Sequence, residues 1–124
     1  MIKFKRLDHV QICIPVGKEE EARAFYRDII GLTEIPKPQP LLANGGLWFA
    51  IADIQLHIGV ENEINKSKRH PAFEVERLQD VKQYLQDRGV QIKEDIHIEG
   101  CERFSFFDPF GNRVELLEKT LPVG

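Results

Sequence analysis

Side chains that can bind a metal ion or move a proton recur at matched places along this 124-residue chain. His9 and His70 each open an extended run, and Gln55 and Glu115 each stand in a later apolar run. From His9 to Gln55 is 55 − 9 = 46 positions, and from His70 to Glu115 is 115 − 70 = 45. Two imidazoles and a carboxylate suit a divalent ion such as Zn, Ni, Mn or Fe. The spacing therefore indicates an internal repeat that carries potential ligands at related positions.

The elements that must position these side chains follow one order in both halves. Alternating apolar residues predict an opening strand, helical spacing predicts a helix, and two runs around a turn predict a hairpin, with a fainter strand before each hairpin. The helical stripes are Ala22, Phe25, Tyr26, Ile29 and Ile30, then Leu78, Val81, Tyr84 and Leu85. The predicted strands are 9–14, 32–35, 47–51, 54–60, 70–75, 90–94, 103–107 and 113–117.

This order predicts an α+β fold made of two βαβββ modules, which form an open, curled mixed sheet around a cleft. Module one spans about 4–60, a polar linker spans 61–69, and module two spans about 70–119. The whole of 1–124 has the length of a single domain.

Alternation along the last strand of each half sets polar side chains on the face opposite the helices. His57 shares a face with Gln55, and Arg113 shares a face with Glu115. An ordinary half-exposed sheet also has a polar face, so His57 is either a site residue suited to proton transfer or an incidental strand residue. Arg113 either holds an anionic substrate group or pairs with Glu115 or Glu74.

Two further histidine and aromatic positions need an interpretation. Trp48 lies in a predicted strand and either joins the core or walls the pocket. His97 alternates with apolar residues beside acids, which predicts an exposed strand position. The segment 37–40, Lys-Pro-Gln-Pro, predicts a stiff loop.

Composition excludes several classes of partner. The chain carries 17 Lys and Arg against 20 Asp and Glu, a formal net charge of −3, which does not favour nucleic acid or an acidic membrane. Because the sequence contains no long apolar run, we expect neither a signal peptide nor a bilayer-spanning segment. Cys13 and Cys101 are far apart and fit free thiols in a reducing cytoplasm. We therefore expect a cytoplasmic protein with a small-molecule partner.

Four segments together resemble the vicinal oxygen chelate superfamily, the glyoxalase, bleomycin-resistance and dioxygenase group. They are Leu-Asp-His-Val at 7–10, Ala-Arg-Ala-Phe-Tyr at 22–26, His-Pro-Ala-Phe at 70–73, and Asp-Pro-Phe-Gly-Asn-Arg-Val-Glu-Leu at 108–116. The resemblance covers about 7–118. Each motif is weak alone, and the paired histidine openings with the last motif are specific together.

The resemblance implies a metal site as well as the fold. His9, His70 and Glu115 match three ligand positions, and Gln55 matches the fourth, where the family usually has Glu. Gln is a neutral and poorer ligand, so the resemblance implies a three-ligand or rearranged site, with Gln55 orienting substrate or water. Members often form homodimers, and the site lies either within one chain or across two.

Two classes of function follow from the resemblance. One is a divalent-metal-dependent enzyme, a lyase or isomerase of the glyoxalase kind, in which the metal ligands hold a substrate with adjacent oxygens. In this reading His57 or Glu115 moves the proton, and Gln55, Arg113 and Trp48 contact substrate. Thiol addition to an epoxide, as in fosfomycin-resistance members, is a variant of this class. The other class is a metal-free binding protein of the bleomycin-resistance kind, whose groove is lined by aromatic side chains.

Overall fold

The computed structural model describes residues 1–64 and 66–120. The chain divides into two compact units, Met1–Ile64 and Asn65–Gly124. Each unit carries one four-stranded mixed sheet, so the α+β class and the two-module organisation predicted from the sequence are confirmed.

Unit 1 is built from four strands and three helical segments in alternation. Its elements are β1 His9–Pro15, α1 Glu19–Arg23, a π-helix Ala24–Ile29, β2 Thr33–Ile35, a 3-10 helix Gln39–Asn44, β3 Leu47–Ile51 and β4 Ile54–Glu61. The strand order is β1-β4-β3-β2, with β1 parallel to β4 and the other neighbours antiparallel. The first and last strands of the predicted module therefore lie side by side.

The core of unit 1 lies on the face of the sheet that α1 and the π-helix cover. Tyr26 contacts Phe49 with ring centroids 6.2 Å apart. The buried apolar side chains are Ile12, Ile14, Ala22, Phe25, Tyr26, Leu47, Phe49, Leu56 and Ile58. Removing this surface from water stabilises the fold and leaves the alternate, polar side chains of the strands on the other face.

Unit 2 repeats the arrangement with a shorter first strand. Its elements are β5 Ala72–Glu74, α2 Leu78–Asp87, β6 Gln91–Glu94, β7 Cys101–Phe107 and β8 Arg113–Lys119, in the order β5-β8-β7-β6. The buried apolar side chains are Leu78, Leu85, Phe104, Phe106, Val114 and Leu116. The Glu118 carboxylate of β8 accepts hydrogen bonds of 3.0 Å from the backbone N–H groups of Arg77 and Leu78, and so ties the start of α2 to the sheet.

Two local predictions need correction. The first helix is α-helical only to Arg23 and then widens, with the Ile30 N–H bonded at 2.9 Å to the Phe25 carbonyl five residues earlier. Phe25 and Tyr26 are adjacent in this wider segment, and both are buried. The predicted loop at 37–40 leads into the 3-10 helix, which the sequence pattern did not indicate.

The expected equality of register between the halves is also wrong by two residues. His9 lies opposite Gln55 on the neighbouring parallel strand, whereas Ala72 lies opposite Glu115. His70 therefore precedes β5 and stands two positions before the place that His9 holds in unit 1. Because two residues is one full period of a strand, His70 keeps the expected side of the sheet.

Among the helices that the structure describes, none has both the length and the apolar character needed to cross a membrane.

The turn between β7 and β8 is organised by a buried acid. The Asp108 carboxylate accepts hydrogen bonds from the backbone N–H of Phe110 at 2.9 Å and of Asn112 at 2.8 Å. It also accepts from the Asn112 side-chain amide at 2.8 Å. This turn immediately precedes Arg113 and Glu115, so it sets where the polar face of β8 begins.

We expect Asp108→Ala to lower the free energy of unfolding by about 2 to 4 kcal/mol, because two backbone N–H groups lose their acceptor. Urea denaturation of the purified protein measures this change. Asp53→Ala, in the exposed turn between β3 and β4, is the matched control and should change stability by less than about 0.5 kcal/mol. Equal stability of the two variants would contradict the role given to Asp108.

Candidate functional site

The polar face of the unit 1 sheet gathers side chains from three neighbouring strands. Strand pairing sets His9 opposite Gln55, and it sets Gln11 and Trp48 on either side of His57. All five belong to the face opposite the core, because they alternate with buried apolar residues. The parallel pairing of β1 and β4 is thus what brings the two histidines together.

Three rings of this face form a continuous stack. The His57 ring lies against the Trp48 ring with centroids 3.9 Å apart and an interplanar angle of 3°. The His9 ring lies against His57, with centroids 4.0 Å apart and an angle of 17°. His57 is therefore sandwiched and only 6% exposed, whereas the His9 side chain is 44% exposed. The stack holds the His57 ring in one plane.

His57 makes a short hydrogen bond within its own strand. Its Nε2 lies 2.8 Å from Oε1 of Gln55. Burial, with a further contribution from the nearby His9, lowers the pKa of His57 and outweighs the opposing effect of Asp8. The side chain is accordingly neutral near pH 7, as a proton acceptor must be, although its Nε2 is already engaged.

His9 is oriented by the residue before it. Its Nδ1 lies 2.9 Å from Oδ2 of Asp8, and this hydrogen bond lowers the pKa of Asp8. A carboxylate on Nδ1 leaves Nε2 as the lone-pair nitrogen of the neutral ring, which is the arrangement found around histidines that bind metals.

An open cavity of about 680 Å³ lies over this face within unit 1. Its walls include Asp8, His9, Lys37, Trp48, Gln55 and His57. The 3-10 helix contributes Leu41 and Asn44, so the loop before β3 forms one side. The volume lies in the range of small-molecule sites.

Gly46 is what lets that loop approach the sheet. Its φ of +87° is left-handed, and a Cβ there would meet the Ile58 carbonyl oxygen at 2.1 Å. A side chain at this position would push the loop away from β4 and open the cavity wall.

The polar face of unit 2 centres on a buried carboxylate. Glu115 is 7% exposed, and its Oε1 lies 3.3 Å from Nε2 of His70 and accepts a hydrogen bond of 3.0 Å from Nη1 of Arg103. Nη2 of Arg113 lies 3.9 Å from the same oxygen. His70 is held in turn, because its Nδ1 lies 2.9 Å from the carbonyl oxygen of Lys68.

A second buried group continues this network. Asp95 accepts a hydrogen bond of 2.8 Å from Ser105 and one of 3.0 Å from Arg113, and Lys93 lies 3.1 Å from it. Ser105 also accepts a hydrogen bond of 2.9 Å from Nε of Arg113. Burial alone would raise the pKa of Asp95, but the hydrogen bonds and the cationic neighbours hold it below its usual value.

Comparison with known proteins identifies the family. A model of the glyoxalase/bleomycin resistance protein/dioxygenase superfamily matches residues 6–116. The chain belongs to this superfamily. The crystal structure of a glyoxalase family protein from Bacillus anthracis is 45% identical, covers 97% of this chain and 99% of its own, and superposes with a TM-score of 0.91. No curated protein matches the chain.

More distant solved structures share the fold. The genomically encoded fosfomycin resistance protein FosX from Listeria monocytogenes is 21% identical, covers 96% of this chain and 97% of its own, and has a TM-score of 0.75. A glyoxalase family protein from Enterococcus faecalis is 24% identical, with coverages of 93% and 98% and a TM-score of 0.74.

The superfamily positions named from the sequence fall into two groups in the structure. Unit 1 brings together His9, Gln55, His57 and Trp48. Unit 2 brings together His70, Glu115 and Arg113. In the part of the chain that the structure describes, no group of three or more His, Cys, Asp and Glu side chains lies close enough to hold a metal ion.

The structure refines the roles that the sequence analysis gave to Trp48, Arg113 and His97. Trp48 walls the cavity, whereas Phe49 belongs to the core. Arg113 pairs first with Asp95 and only at 3.9 Å with Glu115. His97 is exposed, as expected, but lies in the connection between β6 and β7 instead of in a strand.

Sequence reasoning missed Arg103, Ser105 and Asp95. Arg103 and Ser105 alternate with the buried Phe104 and Phe106, so strand periodicity alone could have assigned both to the face of Glu115. Asp95 follows β6 and carries no such signal.

We expect Asp95→Asn to lower the free energy of unfolding by about 2 kcal/mol at pH 7, because hydrogen bonds to a charged acceptor are lost. The pKa of Asp95 is lowered in the folded protein, so the folded state binds this proton less readily than the unfolded state. The stabilisation is therefore present above the ordinary value of 3.8 and disappears as the pH falls through the folded pKa.

Denaturant unfolding of the wild type and the variant between pH 7 and pH 3 measures this effect. The difference between their free energies of unfolding should become smaller as the pH falls toward 3. Asp53→Asn, at an exposed turn, should show no gap at any pH. A gap for Asp95→Asn that stays constant down to pH 3 would contradict the assignment.

Proposed function

We propose that this protein is a glyoxalase-like, divalent-metal-dependent enzyme, a lyase or isomerase that acts on a small substrate with adjacent oxygen atoms. His9, His70 and Glu115 are the proposed metal ligands. The observation that carries the proposal is the way His70 faces Glu115, with Nε2 and Oε1 3.3 Å apart.

The hydrogen bond on the other side of the His70 ring shows which ring nitrogen faces Glu115 with a lone pair. A carbonyl oxygen only accepts, so Nδ1 carries a proton and donates it to Lys68. Nε2 of the neutral ring then has a lone pair directed at a carboxylate oxygen, and only a cation or a proton between them makes the pair favourable. Donors about 2.1 Å from a tetrahedral ion lie about 3.4 Å apart, which fits the observed separation.

The His9 ring is also oriented by a hydrogen bond to its Nδ1. Asp8 accepts from its Nδ1, so Nε2 is the nitrogen available to a metal in the neutral ring. Arg103 supports Glu115 in a comparable way, because its hydrogen bond to Oε1 fixes the carboxylate rotamer. Each proposed ligand therefore has a neighbour that orients it, which is typical of metal sites.

A bound divalent ion would supply Lewis-acid stabilisation of negative charge on the substrate oxygens. Glu115 is the proposed group for proton transfer, since its carboxylate oxygens accept and return a proton at the position that holds the substrate. His57 is less suited to that task than the sequence suggested, because both ring faces are covered and Nε2 is engaged by Gln55. The Trp48 and Gln55 side chains line the substrate cavity.

Elemental analysis of untagged protein, after reconstitution with Zn, Ni, Mn or Fe, tests the ligand set. We expect near-stoichiometric metal in the wild type and a loss of most of it in His9→Ala, His70→Ala and Glu115→Ala. His97→Ala is the matched control, because it removes an exposed histidine outside both groups and should keep its metal. A wild-type protein that contains no metal after reconstitution would contradict the proposal.

Mixing two variants shows where the ligands come from. Unfolding and refolding His9→Ala together with Glu115→Ala restores part of the metal content if the donor set spans two copies of the chain. If the mixture recovers no metal, a donor set shared between two copies is contradicted.

One observation favours a second candidate, a metal-free binding protein. The stack of Trp48 on His57 gives the cavity an aromatic wall, as a groove for a planar ligand needs. Ligand affinity that is unchanged by excess chelator supports this candidate, and ligand affinity that falls when the chelator removes the metal supports the enzyme.

A further inference from the structure

We propose that Gln55 acts in the unit 1 cavity as a hydrogen-bond donor to an oxyanion of the ligand, and that His57 is the positioning residue that fixes the amide in this orientation. The ligand class is a small carboxylate or enolate-type oxyanion. The inference rests on the proposed function for the identity of the ligand cavity, but the orientation of the amide stands without a metal.

The direction of the hydrogen bond between the two side chains follows from the atoms involved. Nε2 of His57 lies 2.8 Å from Oε1 of Gln55. An amide oxygen cannot donate, so the His57 nitrogen carries the proton. This holds for the neutral ring protonated at Nε2 and for the doubly protonated ring alike. The amide oxygen, which is the atom of glutamine that binds hard cations, is therefore committed to His57.

The ring stack makes this arrangement rigid. Turning the His57 ring over would sweep its edge through the planes of Trp48 and His9, whose centroids lie 3.9 and 4.0 Å away. The Nε2–H group therefore stays directed along β4 toward Gln55. A ring that is held in this way and protonated on Nε2 selects the amide orientation seen here, since the reversed amide would then set N–H against N–H.

The consequence for Gln55 is that its amide nitrogen is the end left for the cavity. Gln55 is part of the cavity wall, and across residues 1–64 and 66–120 the structure shows no hydrogen bond made by its Nε2. Lys37 adds a cation to the same wall. Asp8 also lines the cavity, and its carboxylate is bonded to His9 and lies 3.9 Å from Arg6.

These groups define the chemistry that the cavity recognises. Two N–H donors and an ammonium group favour an oxygen that carries negative charge, because charge-assisted hydrogen bonds are the stronger ones. A Glu side chain at position 55 would repel such an oxygen, whereas the amide of Gln55 can donate to it.

The first test is the protonation pattern of His57 in metal-free protein, measured from the ring ¹⁵N chemical shifts. We expect a proton on Nε2 over the range in which the protein is folded. His97, which is exposed, serves as the reference histidine. A His57 ring protonated only on Nδ1 would overturn the proposal.

The second test measures ligand binding through the fluorescence of Trp48, which is the single tryptophan of the chain. Pyruvate is the oxyanion ligand, and hydroxyacetone, which keeps adjacent oxygens without the carboxylate, is its neutral counterpart. In chelator-treated protein we expect pyruvate to bind at least tenfold more tightly than hydroxyacetone. Gln55→Ala should weaken pyruvate about tenfold, the value of one hydrogen bond to a charged group, and should affect hydroxyacetone less.

His57→Phe separates positioning from packing, because phenylalanine keeps a ring in the stack and deletes only the N–H group. We expect it to weaken pyruvate binding in the wild-type background and to have no further effect when Gln55 is already Ala. Equal losses in both backgrounds, unchanged affinity in Gln55→Ala, or a lack of saturable pyruvate binding by the wild type would overturn the proposal. Failure of the metal hypothesis is seen separately in the elemental analysis, since these measurements use metal-free protein.

Discussion

The parallel pairing of the first and last strand in each unit is the constraint on which the rest of the structure depends. It sets β1 beside β4 and β5 beside β8, although some forty residues separate the partners in sequence. Side chains alternate along each strand, so one face becomes a continuous apolar surface and the other a continuous polar surface. A slip of one residue would exchange these faces, and burial of the apolar face therefore fixes the chemistry of the polar one.

The same scaffold carries two different kinds of polar face. In unit 1 the strand side chains at the centre of the face are aromatic or amide groups, and His57 stacks between Trp48 and His9 and is hydrogen-bonded to Gln55. In unit 2 they are ionic, with Glu115 beside Arg103 and Asp95 beside Arg113. An internal repeat thus preserves backbone geometry while the side chains on its free surface diverge.

Much of this arrangement could be predicted from the sequence because it depends on periodicity. The strand bounds at 47–51 and the beginning of the return strand at Ile54 agree with the structure, and so do the apolar faces, since alternation is local information. The π-helix at Ala24–Ile29 escaped prediction because α and π segments share nearly the same apolar spacing. The two-residue offset of His70 escaped because pairing between distant strands, and not spacing along the chain, sets the register.

The sequence predicted which residues belong to the candidate site, but it did not predict which of their side chains interact. His9, Gln55 and His57 were each named, but a side-chain hydrogen bond depends on rotamers that a sequence does not display. The bond explains why Gln is compatible with this position. A carboxylate there would draw a second proton onto a ring that is buried between two others, and burial disfavours that charge. A neutral amide accepts a hydrogen bond from the same N–H group and does not favour a second proton on the His57 ring. Gln55 and His57 therefore act as a pair on one face of β4, because the amide satisfies the N–H group of the buried ring without adding a charge beside it.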